Sequence, residues 1–140
     1  MPRFSESIDV NATADEAWAV LGDLASVDQW IPGITTVNVN GMERVCAFED
    51  GHTQTEQILD YSPTTRSHGY RLDGAPLPVI NNVGSFAVQE ASDSTRVMWE
   101  SSFEPLDPAA AEQLAQVWRP YLPMVLNNLK NLIEKRTQRH

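Results

Sequence analysis

The sequence predicts an α+β fold in which one antiparallel sheet of seven strands packs against a long C-terminal helix. Two short helices are expected between strands 1 and 2. Apolar residues repeat with the helical period from position 107 to about 136. Seven earlier segments instead alternate apolar and polar residues, which is the period of a half-buried strand. Turn signals separate most of these segments, and tight hairpin connections make neighbouring strands antiparallel.

Length and composition fit a single domain over residues 1–140, with 41% hydrophobic and 21% charged residues. The formal net charge of −9 disfavours binding to nucleic acid or to anionic membrane surfaces. No apolar run approaches the roughly 18 residues of a membrane helix, and the N-terminus lacks the apolar region of a secretory signal. Cys46 is the only cysteine, which fits a reducing compartment. We therefore expect a cytoplasmic protein without membrane insertion.

The first third of the chain is expected to form one strand and two short helices. Residues 4–10 alternate as a strand does. Thr13 and Glu16 have the spacing of a capping box, which predicts a helix directly after Thr13. Residues 26–30 are expected to form a second short helix, which ends at Pro32 and Gly33.

Six further strands are predicted from the period-two pattern, at residues 34–39, 42–49, 52–61, 66–72, 83–90 and 95–104. Asn40-Gly41 and Asp50-Gly51 are strong hairpin signals. Two prolines at residues 76 and 78 remove hydrogen-bond donors that a central strand needs. The segment that carries Leu77, Val79 and Ile80 is therefore expected to be a loop or an irregular edge.

The long helix is expected to begin with Asp107 as its cap and Pro108 at its first position. Pro120 and Pro123 lie inside it and are expected to kink it. One face of the antiparallel sheet is apolar and needs cover, and this helix is the only predicted element large enough to supply it. Its apolar stripe consists of Leu114, Val117, Trp118, Tyr121, Leu122, Val125, Leu126, Leu129, Leu132 and Ile133.

Several short motifs resemble those of the START-like or Bet v 1-like (SRPBCC) superfamily, and within it the polyketide cyclase/dehydrase and lipid-transport group. The resemblance covers essentially the whole chain. It implies the helix-grip fold, a curved sheet of seven antiparallel strands wrapped around the C-terminal helix with a cavity between them. The group shares a cavity and no catalytic motif, so the fold alone does not give an activity. The matching motifs are Ile8-Asp9-Val10-Asn11-Ala12, Asp15-Glu16-Ala17-Trp18, Trp30-Ile31-Pro32-Gly33, Tyr70 after Arg66, Thr95-Arg96-Val97-Met98-Trp99, Phe103-Glu104-Pro105 and the terminal amphipathic helix.

Large side chains on the facing surfaces of sheet and helix are expected to line this cavity and bind a ligand. They are Tyr70, Leu72, Trp99, Phe103, Trp118, Tyr121, Leu122 and Val125. Trp30, Leu77 and Val79 are expected to close its mouth from loops. The alternative is that the same residues simply fill a core. Large aromatic rings rarely fill a narrow gap completely, and together with the resemblance this favours a cavity.

Four polar side chains are weak candidates for catalysis: His68, Glu56, Arg44 and Tyr70. His68 shares a strand face with Tyr70, and an inward imidazole would have a lowered pKa and act as a base. A hydrogen-bonded or half-exposed histidine near the sheet edge is the favoured alternative. Arg44 and Glu56 are expected to form charges on the outer surface. If both point inward, Arg44 would pair with Glu56 or bind a ligand oxygen, and Glu56 would be a candidate acid or base.

These observations leave three functions open. Binding of a small apolar, aromatic or polyketide-like molecule needs only the cavity and a few polar anchors. A cyclase or dehydratase would hold a polyketide-like substrate in the same cavity, with His68 or Glu56 moving protons and Tyr70 or Arg44 polarising a carbonyl. A protein-interaction module would use the sheet edge or residues 74–78. Inward polar groups that converge would favour the enzyme, and a purely apolar cavity would favour binding.

No metal ion or cofactor is expected. Cys46 and three scattered histidines lack the spacing of metal ligands, and no glycine-rich phosphate loop is present. The protein is expected to be a monomer or a homodimer.

Overall fold

A computed structural model describes residues 3–73 and 78–137, which form one seven-stranded antiparallel sheet and a long C-terminal helix. The spatial order is β1-β7-β6-β5-β4-β3-β2, so each strand from β2 to β7 lies beside its neighbour in sequence. This arrangement confirms the predicted helix-grip fold. The strands are β1 (Arg3–Val10), β2 (Ile34–Asn40), β3 (Glu43–Phe48), β4 (Thr53–Ser62), β5 (Ser67–Asp73), β6 (Val79–Glu90) and β7 (Thr95–Pro105).

The two short helices lie between β1 and β2, as the sequence predicts. Helix α1 (Ala14–Leu21) begins with the expected capping box. Oγ1 of Thr13 accepts a hydrogen bond from the backbone N–H of Glu16 at 3.1 Å, and Oε1 of Glu16 accepts one from the N–H of Thr13 at 2.9 Å. The second short helix is a 3₁₀ helix, Leu24–Gln29.

The C-terminal helix starts with a 3₁₀ turn, Pro108–Ala110, and continues as α2 (Ala111–Thr137). The carboxylate of Asp107 accepts a hydrogen bond from the backbone N–H of Ala109 at 3.0 Å, which confirms the predicted cap. Val117 was expected in the apolar stripe, but its side chain is 66% exposed. It lies about 100° around the helix from Trp118, so only Trp118 faces the sheet.

Strand β6 begins earlier than the sequence predicts. The expectation of a loop or irregular edge at Val79 and Ile80 is wrong, because Val79 pairs with Pro105 in the sheet. The irregularity lies one residue later, where the register shifts between Ile80 and Val83. Leu77 lies outside the described residues. The strand can start at Val79 because both prolines precede it and remove no hydrogen bond from its ladder.

The C-terminal half of α2 supplies the densest part of the core. Leu126, Leu129 and Ile133 are each at most 1% exposed and belong to one cluster with Ala17 of α1 and Val97 of β7. Burial of such side chains contributes roughly 1.5–3 kcal/mol each. No helix within the described ranges has the length and apolar content needed to cross a membrane.

Candidate functional site

A cleft of about 100 Å³ lies between the inner face of the sheet and the N-terminal half of α2. Its apolar lining consists of Ile31, Ile34, Cys46, Phe48, Leu72, Phe86, Trp99, Trp118 and Tyr121. Its polar lining consists of Arg44, Gln54, Glu56, Tyr70 and Asn82. An engineered protein cavity of about 150 Å³ binds benzene, so the cleft has roughly the size of one aromatic ring.

Arg44 and Glu56 form a buried ion pair on the inner face of β3 and β4. The two residues are 3% and 8% exposed and lie opposite each other in the sheet. Nε and Nη2 of Arg44 donate to Oε2 of Glu56 at 2.8 and 2.5 Å. Nη1 donates to the backbone oxygen of Leu24 at 3.0 Å. Buried charges are costly unless they are paired and hydrogen-bonded, and this geometry meets both needs.

The expectation that Arg44 and Glu56 are surface charges is therefore wrong. Along its strand Arg44 alternates with buried Cys46, and Glu56 alternates with buried Ile58. Successive strand residues point to opposite faces, so both charged side chains must share the face of those buried neighbours. Cross-strand pairing makes this placement possible, because each charge meets the other inside the protein.

Tyr70 lies flat across β6 at the floor of the cleft. Its hydroxyl accepts a hydrogen bond from Nε1 of Trp99 at 2.9 Å. A Cβ atom on Gly84 would lie only 2.3 Å from that hydroxyl oxygen, so glycine is required for the ring to occupy this place. Burial raises the pKa of Tyr70, and Glu56 adds to the shift. The phenol is therefore neutral at pH 7 and retains a proton for hydrogen bonding.

His68 is buried beside the cleft and does not line it. The side chain is 3% exposed, and its ring lies 5.7–6.1 Å from the rings of Trp18, Tyr61 and Phe86. The favoured expectation of a half-exposed or hydrogen-bonded histidine is wrong, since neither ring nitrogen forms a hydrogen bond with the described part of the chain. Burial and the charge of Arg44 lower the pKa of His68 to about 4, although nearby backbone groups oppose the shift. The ring is neutral at pH 7.

The aromatic wall of the cleft comes from α2 and β7. Trp118 stacks on Tyr121 with 5.3 Å between ring centroids, and Tyr121 meets the edge of Trp99 at 6.3 Å. Nε1 of Trp118 donates to the hydroxyl of Ser101 at 3.0 Å, which fixes its orientation. Burial, followed by the charge of Glu56, raises the pKa of Tyr121.

Other residues that the sequence places at the cavity lie elsewhere. Trp30 does not close the mouth, because it is 4% exposed and packs edge-on against Phe86 at 5.6 Å. The 3₁₀ helix before Trp30 turns the indole into the core. Leu122 and Val125 are fully buried in the core and do not line the cleft.

A second, almost wholly apolar cavity of about 100 Å³ lies further towards the start of α2. Phe103 and Val79, both expected near the ligand, line this cavity and not the cleft. Asn82 and Trp118 line both cavities and therefore lie between them. The complete lining is Val79, Asn82, Phe103, Leu114, Val117 and Trp118.

Sequence reasoning missed several cleft residues, of which Asn82 and Gln54 are polar. The strand pattern could have predicted that Gln54 faces the cleft, because Gln54 and Glu56 lie two residues apart on the same face of the strand. The pattern could not have predicted that Asn82 faces the cleft, since the direction of its side chain depends on the register shift in β6. Cys46 also lines the cleft, and burial followed by the charge of Glu56 raises the pKa of its thiol to about 11. Within residues 3–73 and 78–137, no group of three potential ligands could hold a metal ion.

The fold and the site define a helix-grip protein with a polar and aromatic cleft between sheet and helix. Residues 1–134 match the family described as polyketide cyclase/dehydrase and lipid transport, and the chain belongs to that family. Comparison with curated proteins gives no significant match. The family supports a role in binding or cyclising a small molecule.

Solved structures confirm the fold over nearly the whole chain. The protein XoxI from Bacillus cereus is 23% identical, with 95% of this chain and 96% of that chain covered and a TM-score of 0.85. The Zhui aromatase/cyclase from Streptomyces sp. R1128 is 21% identical, with 97% and 95% covered and a TM-score of 0.79. The di-domain ARO/CYC BexL from the BE-7585A biosynthetic pathway is 19% identical, with 96% and 47% covered and a TM-score of 0.83. At these identities the likeness concerns the fold.

Proposed function

We propose that this protein binds a small aromatic, polyketide-like molecule in the cleft, with a polar group of the ligand directed at Arg44 and Glu56. One observation carries the proposal: among the described residues, the buried charged side chains are these two, and both line the cleft. A buried ion pair contributes little to stability compared with apolar residues of similar volume. Its position at the cleft is therefore better explained by a ligand than by folding.

The remaining lining supports an aromatic ligand. Trp99, Trp118 and Tyr121 present ring surfaces, on which a flat ligand would stack or meet ring edges. Gln54 and Tyr70 add polar groups from neighbouring strands. A mostly apolar cleft with a few fixed polar groups is the usual form of a small-molecule site.

A test of binding is a calorimetric titration with phenol, accompanied by native mass spectrometry of the protein purified from its source to look for a retained ligand. Trp118→Ala and Tyr121→Ala remove stacking surface, so we expect each to weaken binding by about tenfold or more. Met42→Ala is the control, because Met42 is 53% exposed at the β2–β3 turn. Equal affinity of all four proteins would contradict the proposal.

A second candidate function is proton transfer of the cyclase or dehydratase type, favoured by the polar groups that converge on the cleft. Arg44 donates to Oε2 of Glu56, and no hydrogen bond from the described residues reaches Oε1. Oε1 is therefore free to take a proton from the carbon beside a ligand carbonyl. The neutral Tyr70 hydroxyl would stabilise the enolate oxygen as the electron pair moves onto it. His68 does not line the cleft, so the geometry favours Glu56 as the base.

The proton transfer is tested with 4-hydroxyacetophenone, whose methyl protons exchange for solvent deuterium through the enolate. We expect the protein to accelerate this exchange, measured by NMR, and Glu56→Gln to abolish the acceleration by removing the base. His68→Gln is the matched control and keeps the exchange rate. If Glu56→Gln exchanges as fast as the native protein, the catalytic role is rejected while the binding role stands.

A further inference from the structure

Strand β6 contains an irregularity directly beside the two cavities. The register with β7 shifts between Ile80 and Val83, and Asn81 has a positive φ of 53°. The side chain of Asn81 points outward and donates to Oε2 of Glu104 at 3.1 Å. Asn82 pairs with Leu72 of β5 and faces the interior. Bulges of this kind redirect side chains and are common beside functional sites.

The amide oxygen of Asn82 is buried and has no hydrogen-bond partner among the described residues. The residue is 3% exposed, and its Oδ1 atom forms no hydrogen bond with the described residues. A buried acceptor that lacks a donor is destabilising, and native proteins rarely retain one without a reason. A leucine has the same number and branching of side-chain heavy atoms and would avoid this cost. The unpaired amide oxygen therefore points to a ligand that supplies the missing donor.

The position of Asn82 defines where that donor must lie. Asn82 and Trp118 line both the polar cleft and the apolar cavity, so a ligand that extends from one to the other passes between them. Val117 also lines the apolar cavity and is 66% exposed, so one wall of this cavity lies at the protein surface. Each cavity holds about 100 Å³, which suits one ring in the cleft and a short apolar substituent in the second cavity.

The electrostatics of the cleft favour a neutral ligand. Arg44 and Glu56 cancel each other's charge, and both are held by short hydrogen bonds. A charged ligand would leave an uncompensated charge in this buried site, which is strongly unfavourable. Within the described residues, Oδ1 of Asn82 is a buried acceptor without a donor, and the hydrogen bonds from Arg44 go to Oε2 of Glu56 and not to Oε1. The cleft therefore matches a ligand that donates hydrogen bonds and carries no formal charge.

We propose that Asn82 is the specificity-determining residue of the cleft and selects a neutral aromatic ligand with a hydroxyl or N–H group adjacent to an apolar substituent. The ring occupies the polar cleft, the donor binds Oδ1 of Asn82, and the substituent passes Trp118 into the apolar cavity. This inference rests on the proposed binding function and deepens it by naming the class of ligand.

The test compares three probes by calorimetry: 2-butylphenol, its methyl ether 1-butyl-2-methoxybenzene, and 4-butylphenol. The native protein is expected to bind 2-butylphenol about tenfold more tightly than the ether or 4-butylphenol. Only 2-butylphenol carries a hydrogen-bond donor, its hydroxyl group, next to the butyl substituent. Asn82→Leu is expected to abolish both preferences. Its melting temperature should be unchanged or higher, because it removes an unpaired buried acceptor.

Three further variants complete the test. Asn127→Ala, at an exposed position of α2, is the control and should retain both preferences. Leu114→Trp fills the apolar cavity and should weaken 2-butylphenol about tenfold while leaving phenol itself unaffected. Asn82→Ala replaces Asn82→Leu if the latter does not fold.

The outcomes separate the inference from the function on which it rests. If all three probes bind equally well to the native protein, and Trp118→Ala weakens each of them, the binding function stands and the role of Asn82 is overturned. A preference that survives in Asn82→Leu also overturns that role. If no probe binds, both proposals are overturned.

Discussion

The two halves of α2 meet the sheet in different ways. In the C-terminal half, Leu126, Leu129 and Ile133 are at most 1% exposed and belong to the buried core cluster. In the N-terminal half, Trp118 and Tyr121 are only partly buried and face charged and polar side chains. One helical stripe thus serves packing at one end and a binding cleft at the other. Pro120 and Pro123 lie at the boundary between the two regions.

The difference follows from the shapes and polarity of the side chains. Branched aliphatic residues interdigitate to about the density of an organic crystal, so these three side chains fill the space between the helix and the core. Aromatic rings in the other half lie 5.3 and 6.3 Å apart between centroids and pack with flat faces and edges. Polar groups in this half need hydrogen-bond partners, which a ligand can supply. Stability therefore concentrates in one half, and the capacity for recognition in the other.

The largest expected effect comes from breaking the ion pair of the cleft half. Arg44→Met leaves Glu56 buried without its partner and should lower the free energy of unfolding by about 3–5 kcal/mol, measured by urea denaturation. The double variant Arg44→Met/Glu56→Met should recover most of this loss. Arg96→Met is the control, because the Arg96–Asp9 pair is on the surface. A loss below about 1 kcal/mol in the single variant would mean that the cleft is effectively solvated.

The next largest effect is a pH dependence of the free energy of unfolding, caused by His68, which is buried beside the cleft. His68 has a pKa of about 4 in the folded protein and an ordinary value of 6.5, so the unfolded chain binds its proton at higher pH. Stability is therefore complete above pH 6.5 and falls as the pH drops towards 4, by on the order of 3 kcal/mol. Arg44 is the charged group that lowers this pKa, and the phenols of Tyr61 and Tyr70 are the other titratable neighbours, with Tyr70 neutral throughout this range.

Urea denaturation at several pH values measures this dependence, and His68→Phe isolates it. Asp50 and Glu134 also have lowered pKa values and lose stabilising interactions in acid, in the same direction. Both proteins contain these two carboxylates, so their contribution cancels when the free energy of unfolding of His68→Phe is subtracted from that of the native protein at each pH. If both proteins lose the same stability between pH 6.5 and 4, the buried imidazole is not the cause.

A smaller effect is expected from Gly84→Ala, which tests whether the floor of the cleft is built around Tyr70. The added methyl group overlaps the Tyr70 ring and also lies 2.7 Å from the backbone oxygen of Glu100, so the strand cannot relax freely. We expect a loss of about 1–3 kcal/mol and a change in tryptophan fluorescence as the hydrogen bond from Trp99 is lost. Ser85→Ala, at an exposed position on the outer face of the sheet, should change neither the stability nor the tryptophan fluorescence. An unchanged melt for Gly84→Ala would contradict this geometry.

The smallest effect lies at the start of the helix, beyond the cleft. Asp107→Ala removes the acceptor for the N–H of Ala109 and should cost about 0.5–1 kcal/mol, seen as a lower melting temperature. Asp107→Asn should retain most of the stability, because asparagine is an equally good cap. A melt that does not shift in Asp107→Ala would show that the first turn is not needed to hold α2 against the sheet.

Much of the fold could be predicted because its signals are local. The strand pattern, the capping box at Thr13 and the cap at Asp107 each depend on residues close in sequence. The inward direction of Arg44 could also be predicted from its parity with Cys46. An isolated charge is costly to bury, and the partner that offsets this cost for Arg44 lies on another strand.

The candidate site was harder to predict because it depends on long-range geometry. Asn82 faces the cavities as a result of the register shift in β6, which no local pattern reveals. Trp30 and Leu122 are large apolar residues whose side chains fill the core, and sequence alone does not distinguish a core position from a cavity wall. Aromatic residues that do line the cleft, such as Trp99 and Trp118, were found from strand and helix periodicity.

The rate at which the thiol of Cys46 reacts with a labelling reagent reports how often the cleft opens. Its pKa of about 11 leaves only about one thiolate in ten thousand at pH 7, and the side chain is 2% exposed. A disulfide reagent therefore reacts only when the walls of the cleft around Cys46 separate and admit water. The rate of labelling measures how often this separation occurs, and a ligand that fills the cleft should slow it in proportion to its occupancy.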